Sequence, residues 1–293
     1  MINLNMQERN VALVTGSSSG IGYETALLLA RSGFHTYASM RNIEKGKNIT
    51  AIANAEKLPL QIVQLDVNDD ISVREAIEKI ESENDRIDVL VNNAGYGLFG
   101  SLEDLSIDEI KALFETNFFG VIRVTQKVLP IMRRQNFGSG VGGGTIVNVS
   151  SVGGRMGVPV LSAYQSTKFA LEGLSESMSY ELEQFGIRVV IVEPGFIRTN
   201  IMNSSKLAKK ALDPKSPYFL LMQKVESHFK SMMDHASSSP PEDVAKVILQ
   251  AITSESPQMR YTVGNDAASV LQAKATMSDE EFGNLIKQQF LTR

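Results

Sequence analysis

The sequence predicts a doubly wound α/β fold: one domain, residues 1–293, on a parallel sheet of about seven strands. Three observations lead there. Apolar runs of strand length recur along the chain, helix-period segments lie between them, and a glycine-rich turn sits between the first strand and the first helix. The composition permits such a fold. The chain has 293 residues, 43% hydrophobic and 21% charged, with ample apolar surface to offset the entropy of ordering.

The expected strands cover residues 11–15, 35–39, 60–65, 87–91, 145–149 and 187–192, with a shorter, more polar one at 260–263. Several are continuous apolar runs, as strands covered on both faces require. Helices are expected at 20–32, followed by Gly33 in the position past the cap, and at 69–84, where Ile71, Val73, Ala76, Ile77 and Ile80 fall at helical spacing. Two longer helices are expected at 106–135 and 162–184. This alternation implies right-handed crossovers between parallel strands.

Two segments break the rhythm. Residues 138–144 are rich in glycine but follow a helix and precede a strand, the wrong order for a phosphate loop, so they read as a flexible surface loop. Residues 199–239 lack a strand and carry Met202, Phe219, Leu220, Leu221, Met222, Phe229, Met232 and Met233. They suit either helices packed on the sheet or the soft wall of an apolar pocket, and the segment is expected to form a substrate lid. After Pro257 come a last strand and helices, the terminal one opening on Ser278-Asp-Glu-Glu281 with capping-box spacing.

Charge and rare residues exclude several functions. With 29 basic and 33 acidic residues the net charge is −4, and no basic footprint for nucleic acid exists. The absence of cysteine removes disulfides, thiolate metal sites and cysteine nucleophiles, and fits a reducing compartment. The opening stretch is polar, without a basic run leading into an apolar one, so no secretory signal is expected; nor is any transmembrane segment. A cytoplasmic location follows as an expectation. His35, His228 and His235 lack metal-ligand spacing, so no metal is expected.

The first chemical motif is Thr15-Gly16-Ser17-Ser18-Ser19-Gly20-Ile21-Gly22. Gly16 can take a tight turn, and Gly20 and Gly22 permit close backbone approach and helix packing. Exposed N–H groups and the helix dipole there favour a pyrophosphate, and G-x-x-x-G-x-G is a variant of the dinucleotide fingerprint. The stretch also reads as G-x-S-x-G with Ser18 as a hydrolase nucleophile, which would need an acid and a histidine beside it. At the end of the second strand no acid stands between 35 and 43 to hold a ribose 2′-hydroxyl. Arg41 can pair with a 2′-phosphate and Ser39 can hydrogen-bond it, which favours NADP(H) while leaving NAD(H) possible. Asp66, after the third strand, can meet the adenine amino group or cap the next helix. Asn92-Asn93-Ala94-Gly95, after the fourth, offers amides and small side chains for a turn beside the cofactor.

The central constellation is Ser151, Tyr164 and Lys168. Tyr164 and Lys168 stand four apart on an expected helix and so share a face. A free phenol titrates near about 10, and a neighbouring ammonium lowers that value. The pair can then exchange a proton with an alcohol or carbonyl oxygen, to which Ser151 can also hydrogen-bond. Asn117, in the long helix before them, can anchor a water linking Lys168 to solvent.

With these motifs in this order, residues 9 to about 200 resemble the short-chain dehydrogenase/reductase family, a Rossmann-type fold. The matching residues are Thr15-Gly16-x3-Gly20-x-Gly22, Asp66, Asn92-Asn-Ala-Gly95, Asn117, Ser151, Tyr164-x3-Lys168 and Pro194-Gly195. The runs 151–154 and 164–173 are similar to the 17β-hydroxysteroid dehydrogenase and retinol dehydrogenase branch. The resemblance implies hydride transfer at the nicotinamide, with Tyr164 as acid/base and Ser151 orienting the substrate. Lys168 would hold the ribose and lower the tyrosine pKa, and Asn117 would support a proton relay. It further implies cofactor contacts from Ser18, Ser19, Ile21, Val67, Asn93, Ala94, Gly95, Pro194, Gly195 and Ile197, with Thr199 at the carboxamide. An apolar alcohol or ketone is the expected substrate. A homodimer or homotetramer formed by the two long helices is expected on the same ground. Two other functions stay open: a silent NADP(H)-binding sensor or scaffold, and the hydrolase using Ser18.

Overall fold

A computed structural model describes residues 10–135, 143–198, 205–234 and 239–291. Its strands are β1 (Val11–Val14), β2 (His35–Met40), β3 (Leu60–Gln64), β4 (Val89–Asn92), β5 (Leu98–Phe99), β6 (Gly144–Val149), β7 (Ile187–Pro194), β8 (Lys206–Leu207) and β9 (Arg260–Val263). Seven of them form one parallel sheet in the order β3-β2-β1-β4-β6-β7-β9. The chain is a single Rossmann-like α/β domain, as expected. Strand order reverses between β1 and β4, so the loops after these two strands open a crevice at their carboxyl ends, where such sheets bind ligands.

Helices cover both faces. On one lie α3 (Asp70–Asn84), α5 (Gly120–Gln135) and α6 (Ser162–Glu183); on the other, α1 (Gly20–Arg31), α2 (Lys47–Glu56) and α8 (Pro241–Thr253). Strand β1 shows why its sequence is unbrokenly apolar. Val11 and Leu13 enter the first core and Ala12 and Val14 the second, and all four are buried. Gly33 follows the cap of α1 with φ +92°, and Ser278 and Glu281 form the reciprocal capping box at the start of α10 (Asp279–Phe290).

Four features depart from the expected pattern. Helices α2 and α8 were not anticipated. The helix expected at 106–135 is α4 (Ile107–Phe114) and α5 joined through a π turn, Glu115–Phe119. The segment expected to lack a strand contains β8, which pairs in parallel with β5 in a second, two-stranded sheet. That pairing is only two residues long and rests on backbone bonds between segments about a hundred residues apart, a signal without local periodicity.

A third apolar cluster joins this region to the carboxyl terminus. Met222, Val225 and Phe229 of α7 (Phe219–Asp234) pack with Phe282, Ile286 and Phe290 of α10. Helix α9 (Asn265–Thr276) lies between β9 and α10 in the chain. Leu220 points outward, 77% exposed. Met202, Thr199, His235 and most of the glycine run at 138–144 lie outside the described residues, as do the side chains of Met232 and Met233.

Candidate active site

The loop after β1 is built from backbone. Gly16 and Gly20 adopt φ of +70° and +61°, in the left-handed region that glycine enters freely. A Cβ on Gly22 would lie 2.4 Å from Asn93 Nδ2 and 2.5 Å from Gly16 O. The turn after β4 clamps this loop. Asn93 Nδ2 donates to Thr15 O (2.9 Å) and Gly16 O (3.2 Å), while Thr15 Oγ1 accepts from the N–H groups of Asn93 (2.9 Å) and Ala94 (3.0 Å). Ser19 stands at the N-cap of α1, and its side chain makes no capping bond there.

Around the loop the expected contacts separate by burial. Arg41 is exposed past the end of β2, whereas Ser39 is fully buried and its hydroxyl has no partner among the described residues. The carbonyl of Ser39 accepts from Ser17 N (2.8 Å), so Ser39 supports the loop from below. Asp66 is not the cap of α3; Asp69 is, accepting from Ile71 N and Ser72 N. The Asp66 carboxylate instead accepts from Asn68 N (3.0 Å) in the turn. Val67 is buried against Gly120 and bonds Arg123 through its carbonyl (2.6 Å). Gly195 is paired to Val263 O (2.9 Å) past the end of β7, and Ile197 is buried at a bridge to Ser239.

Among the described residues the hydrolase alternative finds no histidine beside Ser18; His235 lies outside them. His35 begins β2 in register with Val11, at the opposite edge of the sheet from Ser18, and contacts Asn84 (2.8 Å) and Gln61 (3.1 Å). His228 meets Phe290 edge to face, 4.7 Å between ring centroids, and burial pushes its imidazole below the usual value.

Ser151, Tyr164 and Lys168 come together beyond β6. Ser151 leaves the strand and its Oγ accepts from Gly153 N (3.0 Å). It also hydrogen-bonds the Tyr164 phenol. Lys168 Nζ donates to Val149 O (2.9 Å), tying α6 to the strand end that carries Ser151. The ammonium lies 5.9 Å from the Tyr164 ring centroid. Burial pushes Tyr164 above the ordinary phenol value, and the bond to Ser151 opposes it. Burial also lowers Lys168 to about 8, with Glu172 acting the other way. The expected depression of the tyrosine by Lys168 is not found: burial raises the phenol, and Ser151 is the group that opposes it.

Asn117 sits in the π turn and is fully committed to structure. Its Oδ1 accepts from Tyr96 N (3.0 Å), and its Nδ2 donates to Tyr96 O (3.0 Å) and to Thr167 Oγ1 (3.2 Å). Both amide hydrogens are used in these bonds, so the side chain positions Tyr96 and the residue before Lys168. Such single π turns recur at functional sites. Sequence reasoning missed this turn. It also missed a buried ladder in which Asn92 Nδ2 donates to Asn148 Oδ1 (2.9 Å) and Asn148 Nδ2 to Ser175 Oγ (2.8 Å). Asparagines inside two apolar strand runs were the legible sign of it, since buried amides require partners.

A half-open cavity of about 1000 Å³ extends outward from Tyr96. Leu98, Leu105, Ala112, Leu207 and Leu212 supply its apolar wall, with Lys206 and Glu109 among its polar lining. Thus the stretch 205–212 of the expected lid lines a cavity, whereas the buried side chains of α7 pack as structural core.

Comparison with known proteins agrees with this geometry. The short-chain dehydrogenase family model matches residues 10–210. The chain is 37% identical to retinol dehydrogenase 8 of Bos taurus, over 90% of this chain and 84% of that one. It is 36% identical to 17-beta-hydroxysteroid dehydrogenase type 1 of Homo sapiens, over 86% and 77%. Among solved structures, a short-chain dehydrogenase from Streptomyces avermitilis superposes with a TM-score of 0.81 at 30% identity, covering 97% of both chains. A metagenomic short-chain oxidoreductase in complex with NADP superposes at 0.67 and 26% identity, over 87% of this chain and 96% of that one. The chain belongs to the short-chain dehydrogenase/reductase family of oxidoreductases and resembles its hydroxysteroid and retinol dehydrogenase branch.

Proposed function

We propose that the protein transfers a hydride between NADP(H) and the carbinol or carbonyl carbon of an apolar substrate, with Tyr164 as acid/base. The observation that carries this reading is the convergence of Ser151, Tyr164 and Lys168 past β6, beside the β1–β4 crevice. The crevice fits a dinucleotide. A loop so close that a Cβ on Gly22 would strike it ends at a helix N-terminus with no side-chain cap, which suits a pyrophosphate. Arg41, exposed past β2, suits a 2′-phosphate. The NADP complex of a structural neighbour supports the same cofactor class. The bound dinucleotide supplies the hydride or accepts it.

The chain supplies the rest. Ser151, fixed by Gly153, presents its hydroxyl to the substrate oxygen. Tyr164, whose phenol burial keeps protonated at neutral pH, donates its proton to that oxygen during reduction and recovers it during oxidation. Lys168, cationic below about pH 8, stabilises the phenolate formed on the way. Asn117 fixes the turn that carries Tyr96 into the cavity. The leucines of that cavity support an apolar substrate, and relatives named for retinol and a hydroxysteroid point the same way. Residues 199–239 serve as the lid over it. Half-exposed Phe119, at the end of the π turn before α5, and Phe169, on α6, suit a homo-oligomeric contact. The lack of cysteine suits the cytoplasm. No helix among the described residues is long and apolar enough to cross a membrane.

Replacing Tyr164 by Phe tests the assignment. The variant is expected to bind NADPH as the wild type does while turnover of a ketone and aldehyde panel falls by roughly 10²–10⁴-fold. Wild-type turnover in Tyr164→Phe overturns the role of Tyr164. NADPH binding without turnover of any carbonyl by the wild type favours the sensor reading, and failure to bind either dinucleotide removes the proposal altogether.

A further inference from the structure

A chain of buried charges runs behind Lys168. One turn further along α6 stands Glu172, 6% exposed, and Glu193, at the end of β7, is 1% exposed. Carboxylates so deeply buried are costly unless cations attend them. Arg260 of β9 attends both. Its Nε donates to Glu172 Oε2 (3.1 Å) and lies 3.6 Å from Glu193 Oε1, while its Nη2 donates to the partly exposed Glu176 (2.8 Å). Arg155 donates to Glu193 from the turn after β6 (2.9 Å), and Thr262 completes that carboxylate (3.2 Å).

The other oxygen of Glu172 is not so attended. Its Oε1 is buried without a hydrogen bond among the described residues, and so is the hydroxyl of Ser150, the neighbour of Ser151. A Cβ placed on Gly154 would touch Ser150 Oγ (2.9 Å), Glu172 Cγ (3.0 Å) and Lys168 O (3.1 Å), so these groups enclose one small space. Lys168, 8% exposed, has no carboxylate within ion-pair distance among the described residues, and its ammonium donates to the Val149 carbonyl.

We propose that Glu172 is a positioning residue for Lys168: held from behind by Arg260, its buried carboxylate keeps the lysine cationic beside Tyr164. This rests on the catalytic reading above and extends it to a residue that touches neither substrate nor cofactor. Burial works against the proton on Lys168, and Glu172 is the charge that opposes it. Burial favours a neutral Glu172, as does Glu193, and the ion pair with Arg260 of β9 opposes them. The groups facing Glu172 are Lys168 and Glu176 on its own helix, Glu193 from β7, Arg260 from β9 and Ser150 from the turn after β6. Their arrangement makes edge strand β9 part of the catalytic machinery's support.

The sign of the test follows. Removing a carboxylate that favours the ammonium lowers the pH at which Lys168 loses its proton. In Glu172→Gln the alkaline limit of reductase activity should move down by about half to one pH unit, with the Lys168 side-chain nitrogen resonance moving equally in NMR titration. Glu172→Asp, which keeps the charge, should restore most of both, and Glu280→Gln, which removes a remote exposed charge, should change neither. Should Glu172→Gln fail to fold, the wild type still decides. Its Glu172 carboxyl carbon must show an inflection at the pH where Lys168 deprotonates. Unmoved profiles in Glu172→Gln, a moved activity profile over an unmoved Lys168 titration, or a wild-type carboxyl blind to that step each overturn the proposal. All leave the acid/base reading standing if Tyr164→Phe is inactive, so the two ideas fail separately.

Discussion

The two walls of the crevice are made differently. On the dinucleotide side, the loop after β1 and the turn after β4 approach so closely that a Cβ on Gly16 would lie 2.8 Å from Ala94 Cα, and the Thr15 hydroxyl and Asn93 amide bridge them to backbone groups at 2.9–3.2 Å. On the substrate side, β5, β8, α7 and α10 meet through side chains: Leu98, Phe99, Met222, Phe229 and Phe290 fill one apolar cluster. Backbone contact leaves no volume to vary, because every residue contributes the same atoms. Side-chain contact fixes only a volume, which many combinations of apolar residues can fill. A common dinucleotide can thus be held by one invariant geometry while the pocket beside it is refitted for different substrates.

This difference is most exposed to test at Phe229. It is 3% exposed and packs against the rings of Phe196 (5.3 Å), Phe99 (5.7 Å) and Phe290 (5.8 Å). Phe229→Ala should cost about 3–5 kcal/mol of stability by emptying that volume. The folded fraction should still bind NADPH as the wild type does, and Phe229→Leu should recover most of the loss. Chemical denaturation with a parallel binding titration checks this. A dinucleotide affinity that falls with the mutation would show that the walls are not independent.

Gly22 probes the other wall. Gly22→Ala places a methyl 2.5 Å from Gly16 O, a backbone atom that cannot rotate away. The expected cost is smaller in stability, about 1–3 kcal/mol, but here it must appear in cofactor binding, because relief requires the loop to move. A tenfold or greater rise in the NADPH dissociation constant, measured by fluorescence titration, is the expected outcome. Unchanged affinity would mean that the loop geometry is not what binds the dinucleotide.

The same contrast explains what the sequence disclosed. Six of the seven sheet strands and the helices at 20–31, 70–84 and 162–183 announce themselves through local periodicity, since each is buried on a fixed face. Gly16, Gly20 and Gly22 announce the loop, because only glycine meets its demands. The π turn at Asn117 left no local sign; it depends on amide bonds to Tyr96 and to Thr167, which lies fifty residues away. The pairing of β5 with β8 is equally nonlocal. Glu172 was visible on the same helix face as Tyr164 and Lys168, but its meaning depends on Arg260, which arrives from the last strand. Ser39 was legible as a polar residue at a strand end, and only the fold could show that it is enclosed.

That enclosure of Ser39 yields the smallest and sharpest test of the dinucleotide wall. With Ser39 buried and no acid between positions 35 and 43, the proposed preference for NADP(H) rests on Arg41. Arg41 is exposed, so its charged bond to a 2′-phosphate works at the low end of such interactions, about 1.5 kcal/mol, or roughly tenfold. Arg41→Ala should therefore reduce kcat/KM for NADPH about tenfold, leave NADH and thermal stability unchanged, and shrink the wild-type preference as salt is raised, because an exposed ion pair is screened. Arg41→Lys should recover charge but not the forked geometry, and so regain only part of the loss. If the wild type uses NADH as well as NADPH at low salt, Arg41 is a solvated side chain and the preference for NADP(H) does not exist. The backbone wall would then recognise only what the two dinucleotides share.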